Sequence, residues 1–171
     1  MKLSVNSATV EKYNANNRGK NVGDCVKRAM SLAFDTPYSE ISKLLNAKMK
    51  ELRKTKWNSL KVFVPVMEEL GATGKTNMSG DPITLEEWVD QEADPNKTYI
   101  LLVGKKPGWT DHLVCVRDGK IWDSWDSRGR YITTYWVVKD SVSHKEFTDI
   151  KDHLVHSTLL ILFCTASSKN R

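Results

Sequence analysis

The chain has 171 residues, of which 40% are hydrophobic and 27% are charged. This length and composition fit one soluble globular domain that is long enough to bury a real core. The formal net charge is +5, and its Lys and Arg residues are spread along the chain, as in residues 48–54, where they alternate with Leu and Met. We interpret this charge as solvated helix faces and not as a nucleic-acid-binding stripe.

Neither export nor membrane insertion is indicated by the sequence. The first 20 residues contain no apolar segment of the kind found in signal peptides. The longest apolar run, residues 159–164, is far too short to span a bilayer. The three cysteines form neither an even-numbered disulfide framework nor a CxxC zinc pattern. We therefore expect a cytoplasmic protein with reduced thiols, no metal and no cofactor.

The first half of the chain predicts an N-terminal arm followed by helices. Residues 1–20 are rich in Asn, Lys and Ser, and we interpret them as an arm laid over the surface. Residues 25–34 place apolar side chains at helical spacing and so predict a first helix. Thr36 and Pro37 provide an N-cap followed by proline at the first helical position. The helix that they open is predicted to run to about Lys54.

Two further helices are predicted before the pattern changes. The third begins near residue 58 and ends at Gly71, with a kink or a break expected at Pro65. Residues 84–87, TLEE, form a capping box that opens a short fourth helix. Trp88 is expected to be buried in that helix.

The second half of the chain predicts strands, because its apolar residues recur with period two and many are β-branched. The predicted strands are residues 98–103, 111–117, 120–125, 131–138 and 157–164. Helices followed by strands indicate an α+β fold, in which N-terminal helices pack on a C-terminal antiparallel sheet. We expect a single domain over residues 1–171, with a flexible tail at 166–171.

The Asp-Gly dipeptide at 118–119 is the strongest hairpin signal in the chain. With this dipeptide at the turn, the flanking residues pair and the register of both strands follows. Because side chains alternate between faces along a strand, His112, Asp123 and Trp125 then share one face. Asp123 is one diagonal step from His112, a separation of about 7–8 Å or less, and Trp125 lies directly opposite His112.

This arrangement is the one that a catalytic imidazole requires. A carboxylate on one ring nitrogen of His112 fixes its tautomer and leaves the other nitrogen to face a nucleophile. Trp125 would shield the contact from water and strengthen it by lowering the local dielectric constant. Asp123 is the preferred partner, because Asp111 and Asp126 would project to the opposite face. Taken alone, the hairpin is more typical of a surface histidine near two exposed acids than of a catalytic pair.

Cys25 is the candidate nucleophile. It lies at the predicted N-terminus of the first helix, where the helix dipole stabilises a thiolate, and a protonated histidine from the sheet would stabilise it further. Asp24 would oppose the thiolate by its charge unless it turned outward as an N-cap. Most cysteines are packing residues, and Cys115 and Cys164 fit that description.

Three short motifs, in this order, resemble the papain-like cysteine proteases. In that family the nucleophilic Cys opens the central helix, the His begins a strand of the later sheet, and an Asn or Asp precedes Ser-Trp on the next strand. The matching segments here are CVKRA from Cys25, HLVCV from His112 and DSW from Asp123. The compact size and the motif GDCVKRAM are similar to small papain-like proteins of bacteria and tailed phages, some described as resembling bacteriocin-processing peptidases.

The resemblance implies a papain-like fold over roughly residues 18–165 and a thiol hydrolase, most simply a cysteine peptidase or isopeptidase acting on a protein or peptide. Cys25 would attack the carbonyl carbon, His112 would act as general base and then acid, and Asp123 would orient the imidazole. The family also places a Gln shortly before the Cys to complete the oxyanion hole. No Gln precedes the Cys here. Asn21 is the preferred candidate donor in its place, with Asn17 as the alternative, alongside the backbone N–H of Cys25.

Two alternative functions remain open on the sequence. Acyl transfer of the transglutaminase type, or amidase chemistry, uses the same three residues. A papain-like fold that has lost catalysis and binds a host protein is the other alternative, which the absent Gln and the mild positive charge favour. The resemblance places the protein in the cytoplasm of a bacterial cell or of a phage-infected host, and leaves its substrate and oligomeric state open.

Overall fold

The structure is a computed structural model that describes residues 4–5 and 23–138. In these ranges the helices are α1 (Cys25–Ala33), α2 (Tyr38–Glu51), α3 (Leu60–Glu69) and α4 (Leu85–Gln91). The strands are β1 (Ser4–Val5), β2 (Ala72–Asn77), β3 (Thr98–Gly104), β4 (His112–Arg117), β5 (Lys120–Asp123) and β6 (Tyr131–Val138). None of the described helices has the length and apolar character needed to cross a membrane.

The strands form one sheet in the order β1-β5-β4-β3-β6-β2. Strands β2 to β6 are antiparallel to their neighbours, and β1 pairs parallel with β5 at one edge. The described chain is therefore α+β, and the antiparallel character of the main sheet agrees with the prediction from the order of helices and strands.

Helices cover both faces of this sheet. On one face, α1, α2 and α3 pack on strand residues that point towards them, which are Ile100, Leu102, Leu113, Cys115, Trp136 and Val138. On the other face, α4 packs on the alternate residues, which are Tyr99, Leu101, Val103, Val114, Val116, Ile121 and Ile132. The strict alternation means that β3 and β4 are buried on both faces, as their nearly continuous apolar sequences require.

Local signals gave the positions of the helices, but the predicted Thr36 cap is wrong. Helix α2 begins at Tyr38 with Pro37 as its N-cap residue, and the Thr36 hydroxyl donates to the Phe34 carbonyl instead. The predicted capping box is formed at α4, where the Thr84 hydroxyl accepts from the Glu87 N–H at 3.3 Å and the Glu87 carboxylate accepts from the Thr84 N–H at 2.8 Å. Trp88 is buried, as expected. The break considered at Pro65 does not occur, because α3 continues through it to Glu69. Proline has no backbone N–H, so one hydrogen bond of α3 is missing at Pro65, and the packing of the buried apolar side of the helix stabilises this turn.

Two strands were missed by the sequence patterns. Residues 4–5 fall in the predicted arm, but they pair with Trp122 and Asp123 as a short edge strand. Strand β2 follows α3 directly, and all its side chains after Ala72 are exposed, so it has no apolar alternation to detect. The predicted strand at 157–164 and the tail after it lie outside the described residues.

Gly104 ends β3 and allows the loop before His112 to fold back tightly. A Cβ on Gly104 would lie 2.0 Å from the backbone oxygen of Trp109. Because backbone atoms cannot move aside by changing rotamer, we expect Gly104→Ala to lower the free energy of unfolding by about 2–3 kcal/mol. Gly129→Ala is the matched control, since nothing lies within 4 Å of its Cβ position. Urea denaturation measures both variants, and an equal loss in the two would contradict the expectation.

Candidate active site

Cys25, His112 and Asp123 meet at one end of the sheet. Cys25 is the first residue of α1, His112 is the first residue of β4, and Asp123 is the last residue of β5. His112 Nε2 lies 2.7 Å from Asp123 Oδ2, and the Cys25 thiol lies close enough to the imidazole to raise its pKa. The imidazole therefore contacts both of the groups that the sequence had assigned to it.

The hairpin that carries His112 and Asp123 has the predicted register. The two residues that flank the turn pair with each other, and the next two pairs follow in sequence. Asp118 and Gly119 both have positive φ values, of 54° and 63°. Positive φ at both central residues is what a type I′ hairpin turn requires, and Asp-Gly tolerates it well. The turn thus determines which carboxylate can reach the imidazole.

Hydrogen bonds hold the Asp123 carboxylate in a single orientation. Its Oδ1 accepts from the Ser124 N–H at 2.6 Å and from the Ser124 hydroxyl at 3.4 Å, which leaves Oδ2 for His112. The side chain is buried. A carboxylate with donors on both oxygens is a rigid acceptor, so it fixes the tautomer and the plane of the imidazole.

The charge on His112 is set by opposing effects. Burial lowers its pKa, but the hydrogen bond to Asp123, the negative charge of that carboxylate and the interaction with Cys25 outweigh burial and raise the pKa to about 9. His112 is only 8% exposed, so these partners replace most of its water. The imidazole is therefore held as an imidazolium at neutral pH.

Trp125 lies against the imidazole of His112, although β5 ends at Asp123 and does not extend to Trp125 as predicted. Its ring centroid lies 4.8 Å from that of His112, with an angle of 40° between the planes. The guanidinium of Arg130 lies 4.6 Å from the Trp125 centroid, and Arg130 also donates to Asp111. Trp125 remains 37% exposed, so it shields the imidazole on one side and still presents part of its indole to solvent.

The other carboxylates of this region bind elsewhere. Asp111 accepts from Arg130, and Asp126 accepts from Nε and Nη2 of Arg128 at 2.9 and 2.8 Å. The hydrogen bonds from Arg128 lower the pKa of Asp126 to about 2. Of the three aspartates weighed from the sequence, Asp123 is the one that contacts His112.

Asp24 has a role that the sequence did not reveal. It is buried, but its side chain makes no capping hydrogen bond to α1. Instead its Oδ1 accepts from Arg28 Nε at 2.8 Å, and its Oδ2 accepts from the Tyr38 hydroxyl at 2.9 Å. The spacing of four residues between Asp24 and Arg28 is a detectable helical ion-pair signal. The Tyr38 contact joins two helices and has no local sequence signal.

The remaining candidate residues divide into two groups. Cys115 is fully buried between the sheet and the helices, and burial raises its pKa to about 12. It is a packing residue, as the sequence indicated. Asn21 and Cys164 lie outside the described residues. Within the described ranges, no group of three or more His, Cys, Asp or Glu side chains is arranged to hold a metal ion.

The fold and these contacts define an α+β domain that brings a half-buried thiol, an imidazole and a carboxylate together at one end of the sheet. Comparisons with protein-family models, with curated proteins and with solved structures give no match to this chain. We therefore infer the function from the chemistry of the three side chains.

The raised pKa of His112 makes the stability of the fold depend on pH. The stabilisation is fully present below the ordinary histidine value of 6.5 and is lost as the pH rises through about 9. We expect the free energy of unfolding to fall by up to about 3 kcal/mol between these limits. Urea denaturation across this range measures it, with His112→Gln as the control that should give a flatter profile. A flat wild-type profile would contradict the assignment.

Proposed function

We propose that this protein is a thiol hydrolase of papain-like fold, acting as a cysteine peptidase or isopeptidase on protein or peptide substrates. The observation that carries the proposal is the grouping of Cys25, His112 and Asp123, in which the imidazole is hydrogen-bonded to the carboxylate and lies beside the thiol. A thiol is a weak nucleophile at its ordinary pKa, and an adjacent imidazole that accepts its proton activates it. The carboxylate orients the imidazole for that transfer.

The positions of the three groups support a papain-like arrangement. The nucleophile opens a helix that packs on β4, the histidine begins β4, and the acid ends the neighbouring strand β5. Trp125 follows the acid by two positions and stacks against the imidazole. These are the places that the resemblance implies for each group.

The reaction follows from which ring nitrogen is occupied. Because Nε2 of His112 is bonded to Asp123, Nδ1 is the nitrogen that holds the proton given up by the thiol, so the reacting pair is a Cys25 thiolate beside the His112 imidazolium. The Cys25 sulfur then forms a bond to the substrate carbonyl carbon, and the C–N bond breaks as His112 gives its proton to the leaving amine. Water, deprotonated by His112, attacks the thioester, which releases the acid and restores the thiol.

The start of α1 can stabilise the oxyanion that forms in both steps. The first backbone hydrogen bond at this end of the helix runs from the Arg28 N–H to the Asp24 carbonyl, so the N–H of Cys25 has no acceptor within the helix. A free N–H at the positive end of a helix dipole suits a developing negative charge. Asn21 is the proposed second donor.

The first test is selective alkylation. In folded protein, iodoacetamide should react with Cys25 at least about 10²-fold faster than with Cys115, because one thiol is half-buried beside an imidazole and the other is buried among apolar residues. Peptide mapping by mass spectrometry assigns the label. His112→Ala should slow the labelling of Cys25 and leave that of Cys115 unchanged. Equal rates for the two thiols would refute the nucleophile.

The second test separates Asp123 from its neighbour Asp126. We expect Asp123→Ala to slow acylation of Cys25 by p-nitrophenyl acetate about tenfold or more, because the imidazole loses its orienting acceptor. Asp123→Asn should recover part of the rate, since its amide oxygen still accepts from Nε2. Asp126→Ala is the matched control and should be silent, because that carboxylate binds Arg128. Equal losses in the two alanine variants would remove Asp123 from the mechanism.

The same assay distinguishes hydrolysis from acyl transfer. A hydrolase releases the acyl group to water, so adding glycine methyl ester should leave the turnover of the ester unchanged. An acyl transferase would turn over faster with the amine and would form an amide product, which mass spectrometry detects.

A further inference from the structure

A buried carboxylate lies directly beside the proposed nucleophile. Asp24 immediately precedes Cys25 and is only 7% exposed. A negative charge at this position opposes formation of a thiolate, because like charges close together disfavour each other. Burial adds a cost of its own, since a carboxylate out of water must be paired. The site would therefore work against its own nucleophile unless another group compensates for Asp24.

Two donors compensate for it, one on each carboxylate oxygen. Arg28 is one turn further along α1 and donates through Nε to Oδ1 at 2.8 Å, and its side chain is also largely buried. Tyr38 is the first residue of α2 and donates through its hydroxyl to Oδ2 at 2.9 Å. The three residues link the start of α1 to the start of α2 through buried contacts.

The chain needs such support at this point. Gly23 has a φ of 65°, and Asp24, with φ −107° and ψ 18°, follows before the helix begins. Its side chain does not cap α1, so the usual hydrogen bond that fixes a helix start is missing. The contacts of Asp24 with Arg28 and Tyr38 hold the start of α1 in place of a capping hydrogen bond, and so they hold Cys25, the first residue of α1.

The charged groups around the thiol balance in pairs. Arg28 on α1 and Tyr38 on α2 face Asp24. Burial lowers the pKa of Lys27, and the charge of Asp24 offsets part of this effect. The Lys27 ammonium lies 4.1 Å from the Trp57 ring centroid. Burial and the hydrogen bond to Asp24 raise the pKa of Tyr38, which keeps that hydroxyl a donor. From the sheet, His112 faces the thiol and is itself paired with Asp123 on β5.

We propose that Asp24, Arg28 and Tyr38 are positioning residues for the thiol chemistry, an inference that rests on Cys25 being the nucleophile. Their hydrogen bonds hold the start of α1 so that Cys25 meets His112. The guanidinium of Arg28 also cancels the charge of Asp24, so that the carboxylate does not oppose the thiolate–imidazolium pair. Arg28 acts on the reaction through Asp24, without touching the substrate.

The test is the pH dependence of Cys25 alkylation by iodoacetamide in the full chain, with peptide mapping to isolate this thiol. Arg28→Gln leaves a buried carboxylate uncompensated. The pH at which alkylation of Cys25 reaches half its maximal rate should rise by about one unit in this variant. That shift corresponds to an alkylation rate about tenfold lower at neutral pH. Asp24→Asn removes the negative charge next to Cys25 and should move the half-maximal pH downwards. The double variant should return close to the wild-type value.

Two more variants separate charge from packing. Arg28→Lys keeps the positive charge and should restore most of the shift seen in Arg28→Gln. Tyr38→Phe removes a donor that holds the start of α1 without changing any formal charge, so it should lower the alkylation rate of Cys25 while its half-maximal pH stays close to the wild-type value. A purely structural role predicts that Asp24→Asn and Arg28→Gln damage the site alike, and shifts in the same direction, or no shift in either, would overturn the proposal.

Failure of the positioning role and failure of the proposed function give different results. If wild-type Cys25 is activated and the variants leave its profile unshifted, the positioning role is wrong and the proposed function stands. If wild-type Cys25 reacts no faster than Cys115, the proposed function fails and the positioning role fails with it. If Arg28→Gln does not fold, Asp24→Asn decides alone: a lower half-maximal pH supports the proposal, and an unchanged or higher one overturns it.

Discussion

The hydrogen bond between His112 Nε2 and Asp123 Oδ2, at 2.7 Å, is the contact on which the rest of the site depends. It exists because the turn at 118–119 fixes the register of β4 against β5. A slip of one residue would move every side chain of a strand to the opposite face and remove the carboxylate from the imidazole. A two-residue turn at the far end of the hairpin therefore controls the orientation and the charge of the histidine. The thiol can use that histidine only because this orientation is already set.

The parts of the fold that were predictable are those that local chemistry specifies. The Asp-Gly turn, the capping box at Thr84 and the apolar periodicity of the helices each depend on neighbouring residues alone, and each appears in the structure. Strands β1 and β2 were missed because edge strands are defined by the partner that they pair with. Ser4–Val5 has no apolar pattern, and its identity as a strand comes from Trp122 and Asp123. No local pattern contains that information.

The site shows the same division. The pairing of His112 with Asp123 followed from one hairpin, so its geometry was accessible to register arguments. The approach of Cys25 to His112 was not accessible to such arguments. Helix α1 packs on the face of the sheet that carries Leu113 and Cys115, whereas alternation assigns His112 to the opposite face. Cys25 and His112 come together at the end of the sheet, where α1 and β4 both begin. At the end of a sheet, a side chain on one face can be reached by a helix that packs on the opposite face. Helix placement of this kind depends on packing of the whole domain and not on a motif.

Charge balance explains how a buried acid and a thiol can be neighbours in this arrangement. The net charge of +5 has little influence at the thiol, because exposed charges are screened over about 8–10 Å in physiological salt. The buried pairs are screened far less, so Arg28 with Asp24 and His112 with Asp123 dominate the local field. The pKa of His112 is raised to about 9 through its contacts with Asp123 and with Cys25. The electrostatic surroundings of Cys25 thus come from two ion pairs on three secondary-structure elements, and no single motif in the sequence contains them.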